Sequence, residues 1–403
     1  MEQEKKLVSK NSAISLSSET KAGNWYNTLF KVLNFLLLLY IFFLSISLIA
    51  SAFKFFGKNL AEQLITTTSN PLVGLLIGIL ATSLIQSSST TTSLVVGLVG
   101  AGAFTAPGVN PLYIAIPIIM GANVGTSVTN TLVSVGHITR SNEFKRAFAA
   151  STVHDFFNIL AVLILFPVQY FTNFLGKTAI FLAEQFTNVG GLKFSSPIKT
   201  ITKPIQELIK KICSYTGEHL FGYSGEQLDR FMGIVVLLIS LILLFSALKY
   251  LVTTLKAIFS GKLELFFDKY IFKTPIRGIL FGIIVTALVQ SSSITTSMVV
   301  PLAGAGILTL QQIFPYTMGA NIGTTVTAFL ASLATNNVMA IAVAFAHLIF
   351  NILGVIIMYP FRFIPIGLAN TLAKYSLKSK LIPLFYILIM FFLLPIFLIY
   401  LTR

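Results

Sequence analysis

The sequence predicts an all-α polytopic membrane protein with two inverted-topology repeats, each holding a broken, re-entrant helical hairpin, plus one extra C-terminal span. Three observations predict it. The 403 residues are 55% hydrophobic and only 10% charged, with mean hydropathy +0.86, whereas soluble domains carry about 25% charged residues. Two long blocks, Gln63–Thr139 and Gly278–Phe361, contain no Asp, Glu, Lys or Arg. Those two blocks also match each other in sequence.

The elements follow in order. Residues 1–27 are polar and are expected to form a mobile cytoplasmic N-terminus. They lack the apolar core of a cleavable leader. Repeat 1 covers 28–170. It opens with a span at about 30–53, whose charge-free run Val32–Phe53 is long enough for a ~30 Å hydrocarbon core. A hairpin at 71–103 follows, then spans at 112–136 and 145–169. Residues 171–228 mix amphipathic pieces, glycines and charges, and read as an extracytoplasmic linker. Repeat 2 covers 229–362, with a span at 231–250, a hairpin at 275–308, and spans at 313–334 and 338–361. Residues 363–403 read as an interfacial segment and a final span at 381–401. A β-barrel would show ten-residue dyad alternation, which is absent.

The duplication is explicit. Pro71, Gly74 and Gly78 recur as Pro275, Gly278 and Gly282, and Gln86-Ser-Ser-Ser recurs as Gln290-Ser-Ser-Ser. "MGANVGTSVT" (Met120–Thr129) recurs as "MGANIGTTVT" (Met318–Thr327), and His154 and Asn158 recur as His347 and Asn351. The glycine pairs have GxxxG spacing, which lets the two arms of each hairpin pack closely. If each Gln-Ser-Ser-Ser segment enters and leaves on one side, three spans separate the two hairpins. They then enter from opposite faces. Loop charge agrees. With the N-terminus inside, the inner face collects Lys5, Lys6, Lys10, Lys21, Arg140, Lys145, Arg146, the six from Lys249 to Arg277, Arg362, Lys374, Lys378 and Lys380. That is 17 of 28 basic residues.

The net charge of +15 therefore reports membrane topology, not a nucleic-acid partner. Cys213 stands alone, which excludes an internal disulfide and a thiolate metal site. No HExxH, GxSxG or Walker A motif appears, so no enzyme and no organic cofactor is expected.

Gln86 is followed by three serines and three threonines inside an apolar segment. One hydroxyl can bond the carbonyl a turn back. A whole run of polar side chains cannot do so and still face lipid. Irregular backbone at membrane depth is tolerated only where it is buried or lines a cavity. Half-helix N-termini suit anions, and exposed carbonyls and hydroxyls suit sodium. Two more constellations recur: Asn123, Thr126 and Thr129 with Asn321, Thr324 and Thr327, and "HDFFN" (His154–Asn158) with "HLIFN" (His347–Asn351). Helix packing by the glycines with back-bonded threonines is the alternative for the first. Asp155 is an intramembrane acid, a functional position by default. Structural pairing with His154 or a hydroxyl is the alternative, and its repeat partner is Leu348. No Lys or Arg lies in either block, so an anionic substrate would need amides, hydroxyls and a co-bound cation. These features predict an ion-coupled transporter, with an anion as the favoured substrate.

At these residues the sequence resembles the type II sodium-phosphate cotransporter family. The duplicated Gln-Ser-Ser-Ser, "GANVGTSVTNT", "RAFAASTVHDFFN" (Arg146–Asn158) and "GANIGTTVTA" carry the likeness over roughly 30–170 and 230–400. The resemblance implies sodium-coupled symport of inorganic phosphate across the cytoplasmic membrane by alternating access. It implies a phosphate site at Gln86, Ser87, Ser88, Ser89, Gln290, Ser291, Ser292 and Ser293. It implies sodium ligands at Gln290, Ser291, Thr324 and Thr327. Asn321, Asn123, Thr126 and Thr129 are added as sodium candidates, with Asp155 and His154 in support. Rival readings are another oxyanion, a proton couple, a passive anion channel, or a membrane phosphate sensor. The 171–228 linker is shorter than in animal members and has no cysteine pair. The loop Gly136–Phe144 has Glu143 as its only acid, where electrogenic animal members carry an aspartate.

Overall fold

The computed structural model describes residues 29–56, 68–105, 108–188, 197–259, 272–335 and 337–402, less positions 50, 54, 69 and 273. The N-terminal stretch 1–27 lies outside the described residues. What is described is helical, with six helices long and apolar enough to cross a membrane. The chain is an all-α polytopic membrane protein.

The helices are α1 (Leu29–Phe53), α2 (Pro71–Ile85), α3 (Ser88–Ala101), α4 (Pro111–Gly125), α5 (Val128–Val135), α6 (Ser141–Thr172), α7 (Phe174–Asn188), α8 (Pro197–Leu220) and α9 (Gly225–Phe259). Then come α10 (Pro275–Val289), α11 (Ser292–Gly304), α12 (Leu310–Thr335), α13 (Val338–Met358) and α14 (Phe363–Ser376). The last is α15 (Ile382–Thr402), with a π-turn at Ile389–Leu393. Local sequence sets several starts. Pro71, Pro111 and Pro275 stand in the first turn, where no N–H is needed. Asn70 and Asn110 accept from Leu72 N at 3.0 Å and Leu112 N at 2.9 Å.

The paired segments are hairpins, and chain length proves it. α2 and α4 run parallel in register: Gly74 lies against Ile118, Gly78 against Ala122, and Gly125 against Thr82 and Ser83. Had α3 continued along α2, residues 102–110 would have to return about 40 Å, at 1.5 Å per helical residue. They reach at most about 35 Å. The chain must therefore turn back at Gln86–Ser87. The same holds in the second copy, where α10 and α12 run parallel and only residues 305–309 join α11 to α12.

The glycines act differently from the sequence expectation. They do not bring the two arms of a hairpin together. They dock each entering arm on the span that follows the hairpin. A methyl on Gly78 would overlap the Ile118 carbonyl oxygen, and one on Gly121 that of Leu75. In the second copy Gly282 meets the Tyr316 carbonyl and Gly319 that of Ile279. Lipid tails are as apolar as leucine, so close backbone approach replaces hydrophobic burial as the glue.

The exiting arms cross into the other copy. At the base of the first hairpin, Gly100 touches Thr335 at the far end of α12, and Asn337 Nδ2 donates to Gly100 O at 3.4 Å. At the base of the second, Arg146 on α6 donates from Nε and Nη2 to Gly304 O at 2.9 and 2.5 Å. The start of α12 lies beside the start of α10. The two hairpin bases are thus at opposite ends of α12. Residues 171–228 hold α7, which packs on α13, and α8, which packs on α9. Gln206 of α8 donates to Ser47 O at 3.0 Å.

Candidate functional site

Both tips are built alike. Gln86 closes α2 with φ 56°, and its N–H donates to Thr82 O at 2.7 Å. Gln290 closes α10 with φ 56° and donates to Thr286 O at 2.7 Å. A left-handed non-glycine residue costs about 1–3 kcal/mol, and such strain collects at functional positions. The next residue is extended and caps the exiting arm. Ser87 Oγ accepts from Thr90 N at 3.2 Å, and Ser291 Oγ from Ile294 N at 3.4 Å. Each Gln-Ser-Ser-Ser is therefore helix stop, cap and helix start in four residues.

The tips meet. Ser88 Oγ lies 3.4 Å from Ser292 Oγ, so the N-termini of α3 and α11 converge. Ser88, Ser89, Ser292 and Ser293 are buried. Ser89 Oγ has no hydrogen-bond partner. Two positive dipole ends face each other with no acidic side chain in either tip.

The glutamines differ. Gln290 is buried, its Oε1 accepts from Thr327 Oγ1 at 2.7 Å, and its Nε2 donates to Ala287 O. Gln86 is exposed. Thr129, the repeat partner of Thr327, is a buried hydroxyl without a partner. Thr126 and Thr324 behave identically, donating to Ala122 O and Ala320 O at 3.0 Å each. A cavity of ≈ 210 Å³ reaches Gln290 and Thr327 past Phe35, Leu39, Leu248 and Leu330.

Asn123 and Asn321 are engaged across the copies. Both amide ends of each already have partners from the other copy. Asn321 Oδ1 accepts from His154 Nε2 at 2.7 Å, and its Nδ2 donates to Asn158 Oδ1 at 2.5 Å. Reciprocally, Asn123 Oδ1 accepts from His347 Nε2 at 3.1 Å, and its Nδ2 donates to Asn351 Oδ1 at 2.7 Å. All six side chains are buried. The physical reason is cost: a buried amide left unpaired loses about 1–3 kcal/mol. These asparagines form a crossed clamp between the copies. His154 belongs to that clamp. It faces away from Asp155, whose Oδ2 instead accepts from Tyr386 on α15 at 3.1 Å.

Sequence reasoning missed three participants. Asn130 accepts from Thr296 Oγ1 of the second hairpin at 3.0 Å and lies 3.5 Å from His154 Nδ1. Its repeat partner is Ala328, so repetition could not flag it. Tyr386 lies outside both copies and carried no signal. Arg146 was read as loop charge, yet it caps α11. Among the described residues no group of three His, Cys, Asp or Glu could hold a metal ion. The oxygen-rich tips suit hard ions.

Two helical hairpins thus meet through their polar tips inside a bundle of apolar helices. The chain belongs to the Na+/Pi-cotransporter family, whose profile matches residues 41–193 and 242–393. It is 34% identical over 441 residues to the sodium-dependent phosphate transport protein 2B of Pongo abelii, covering 89% of this chain and 63% of that protein. The Homo sapiens 2B protein is likewise 34% identical, over 442 residues, covering 89% and 63%. The sodium-dependent phosphate transport protein 2A of Ovis aries is 34% identical over 435 residues, covering 91% and 67%. The chain thus spans less than two thirds of the 2B relatives' length. No solved structure matches it.

Proposed function

We propose that this protein is a sodium-coupled symporter of inorganic phosphate that works by alternating access between two inverted-topology repeats. The observation that carries the reading is the convergence of the α3 and α11 N-termini at Ser88 and Ser292, 3.4 Å apart. Two free helix N-termini repel unless an anion lies between them. Family membership and the relatives' printed activity support phosphate as that anion. Phosphate is held by the tip amides and by Gln86, Ser87, Ser88, Ser89, Gln290, Ser291, Ser292 and Ser293.

With no Lys or Arg at the tips, sodium supplies the neutralising charge. Gln290, Ser291, Thr324 and Thr327 hold it in the second copy. Gln86, Thr126 and Thr129 are the matching set in the first. Asn123, Asn321 and His154 position both sets as the crossed clamp. The protein acts in the cytoplasmic membrane, with the N-terminus inside. Each net positive charge carried inward gains about 2.3 kcal/mol per 100 mV.

The closed Gln290–Thr327 pair beside the open Gln86 and unpartnered Thr129 supports alternation. One copy holds the contact that the other lacks. Exchange of that contact between copies is the expected sign of the opposite-facing state.

The test is labelled phosphate uptake into proteoliposomes with sodium or potassium outside. Concentrative uptake with sodium alone is the expected result. Uptake that ignores sodium and does not saturate would replace the symporter with a passive anion channel. Stronger competition by sulfate or arsenate would change the anion, and a pH gradient replacing sodium would change the couple.

A further inference from the structure

Asp155 is not used by the phosphate and sodium sets above. Its side chain is fully buried, at 0% exposure. Oδ2 has Tyr386 as donor, and Oδ1 has no hydrogen-bond partner. Beside the carboxylate lie the hydroxyls of Ser127 and Thr131. Ser127 Oγ is also fully buried and unpartnered. The ion pairs of the described residues involve only Glu143 and Glu207, so no basic side chain neutralises Asp155. His154, its chain neighbour, is committed to Asn321.

Opposite Asp155, α4 passes into α5 through a turn at Thr126–Ser127 whose backbone stays right-handed helical, and Thr131 N donates to Ser127 O at 3.2 Å. In the second copy α12 runs unbroken through the matching Thr324–Thr325. There Thr325 Oγ1 donates to Ile322 O at 2.7 Å, and Leu348 stands where Asp155 would be. The carboxylate and the unpartnered hydroxyl therefore occur together in one copy and are both absent from the other. An uncompensated buried carboxylate is costly, and a bound cation removes that cost.

We propose that Asp155 Oδ1 and Ser127 Oγ form a further, copy-specific sodium site, with Thr131 beside it and Tyr386 of α15 closing it. It rests on the reading above for its choice of sodium. The site also explains a coupling path. α5 leads from Ser127 to Asn130, which accepts from Thr296 of the second hairpin. Loading the site fixes α5 and so steadies one of the two tips.

The test is equilibrium binding of radiolabelled sodium to the purified full chain in detergent, without phosphate. The double variant Gln86→Ala/Gln290→Ala should keep a saturable sodium component, because it disables both tip sets. Adding Asp155→Asn to it should abolish that component. Ser127→Ala, which leaves the carboxylate in place, should weaken it roughly fivefold to tenfold. The same protein should elute as a folded monodisperse species in potassium. Unchanged sodium affinity in Asp155→Asn overturns the proposal. A component that Asp155→Asn leaves intact in sodium but makes insensitive to pH also overturns it, and assigns the carboxylate to a proton. If Asp155→Asn does not fold, Ser127→Ala decides alone, and wild-type affinity there overturns the site. Wild-type protein that binds sodium at Asp155 yet moves no phosphate in proteoliposomes would instead sink the symport reading and leave the site standing.

Discussion

The two hairpin tips share the sequence Gln-Ser-Ser-Ser and the same backbone, with φ 56° at both glutamines, yet they make different contacts. Gln290 is closed on Thr327, whereas Gln86 is exposed and Thr129 waits without a partner. Local sequence cannot produce that difference, because it is the same in both. The lesson is that a repeated sequence builds the same backbone at each tip, while the packing around each tip sets which partners its side chains meet.

The largest expected effect comes from breaking the closed side. Gln290→Ala should reduce sodium-driven phosphate uptake by about two orders of magnitude or more, while size-exclusion profiles stay those of the folded protein. Wild-type uptake from that variant would remove the tip from the mechanism. Gln86→Ala should be just as damaging if the open side closes during the cycle. A mild Gln86 phenotype would mean that the asymmetry is permanent.

Next come the glycines, which test whether the frame is equivalent where the tips are not. Gly78→Ala and Gly282→Ala should each destabilise the protein by about 1–3 kcal/mol or more, since the added methyl overlaps a carbonyl oxygen. Thermal unfolding in detergent checks this, and the two losses should match. A large loss on one side only would show that the arms dock with unequal tightness.

Smaller effects sharpen the comparison. Thr327→Val removes one hydrogen bond of about 1 kcal/mol and should lower apparent sodium affinity about fivefold in uptake assays. Thr129→Val should do the same only if its hydroxyl takes up Gln86 in the opposite state. Paired cysteines at 86 and 129 that cross-link only when those at 290 and 327 do not would establish the exchange directly. The smallest effect belongs to Tyr386→Phe, which removes the donor to Asp155 Oδ2. A two- to fivefold fall in sodium affinity is expected, read from the sodium dependence of uptake.

Much of this was legible in the residues. Long uncharged blocks forced a membrane fold, because each backbone group must find its partner within the chain there. Gln86 and Gln290 were visible as interruptions, and the structure gives each a helix stop, a cap and a start. The glycine partners were not visible, because GxxxG spacing states that something packs closely but not what. Asn123 and Asn321 looked like free ligands for the same reason: an amide in a sequence carries no sign that a histidine from the other copy already fills it. Asn130 pairs with Ala328 and Tyr386 lies outside both copies, so repetition drew attention to neither.

The sequence by itself determined the helices, their breaks and the pairing of the copies. These depend on residues close in the chain: a proline in a first turn, an asparagine cap, a glutamine that ends one helix and serines that begin the next. Only the tertiary structure decided which polar groups meet. His154 and Asn321 are 167 residues apart, and Tyr386 and Asp155 are 231 apart. Helix packing supplies such contacts, and buried polar groups in a membrane protein must take whatever partner the packing brings.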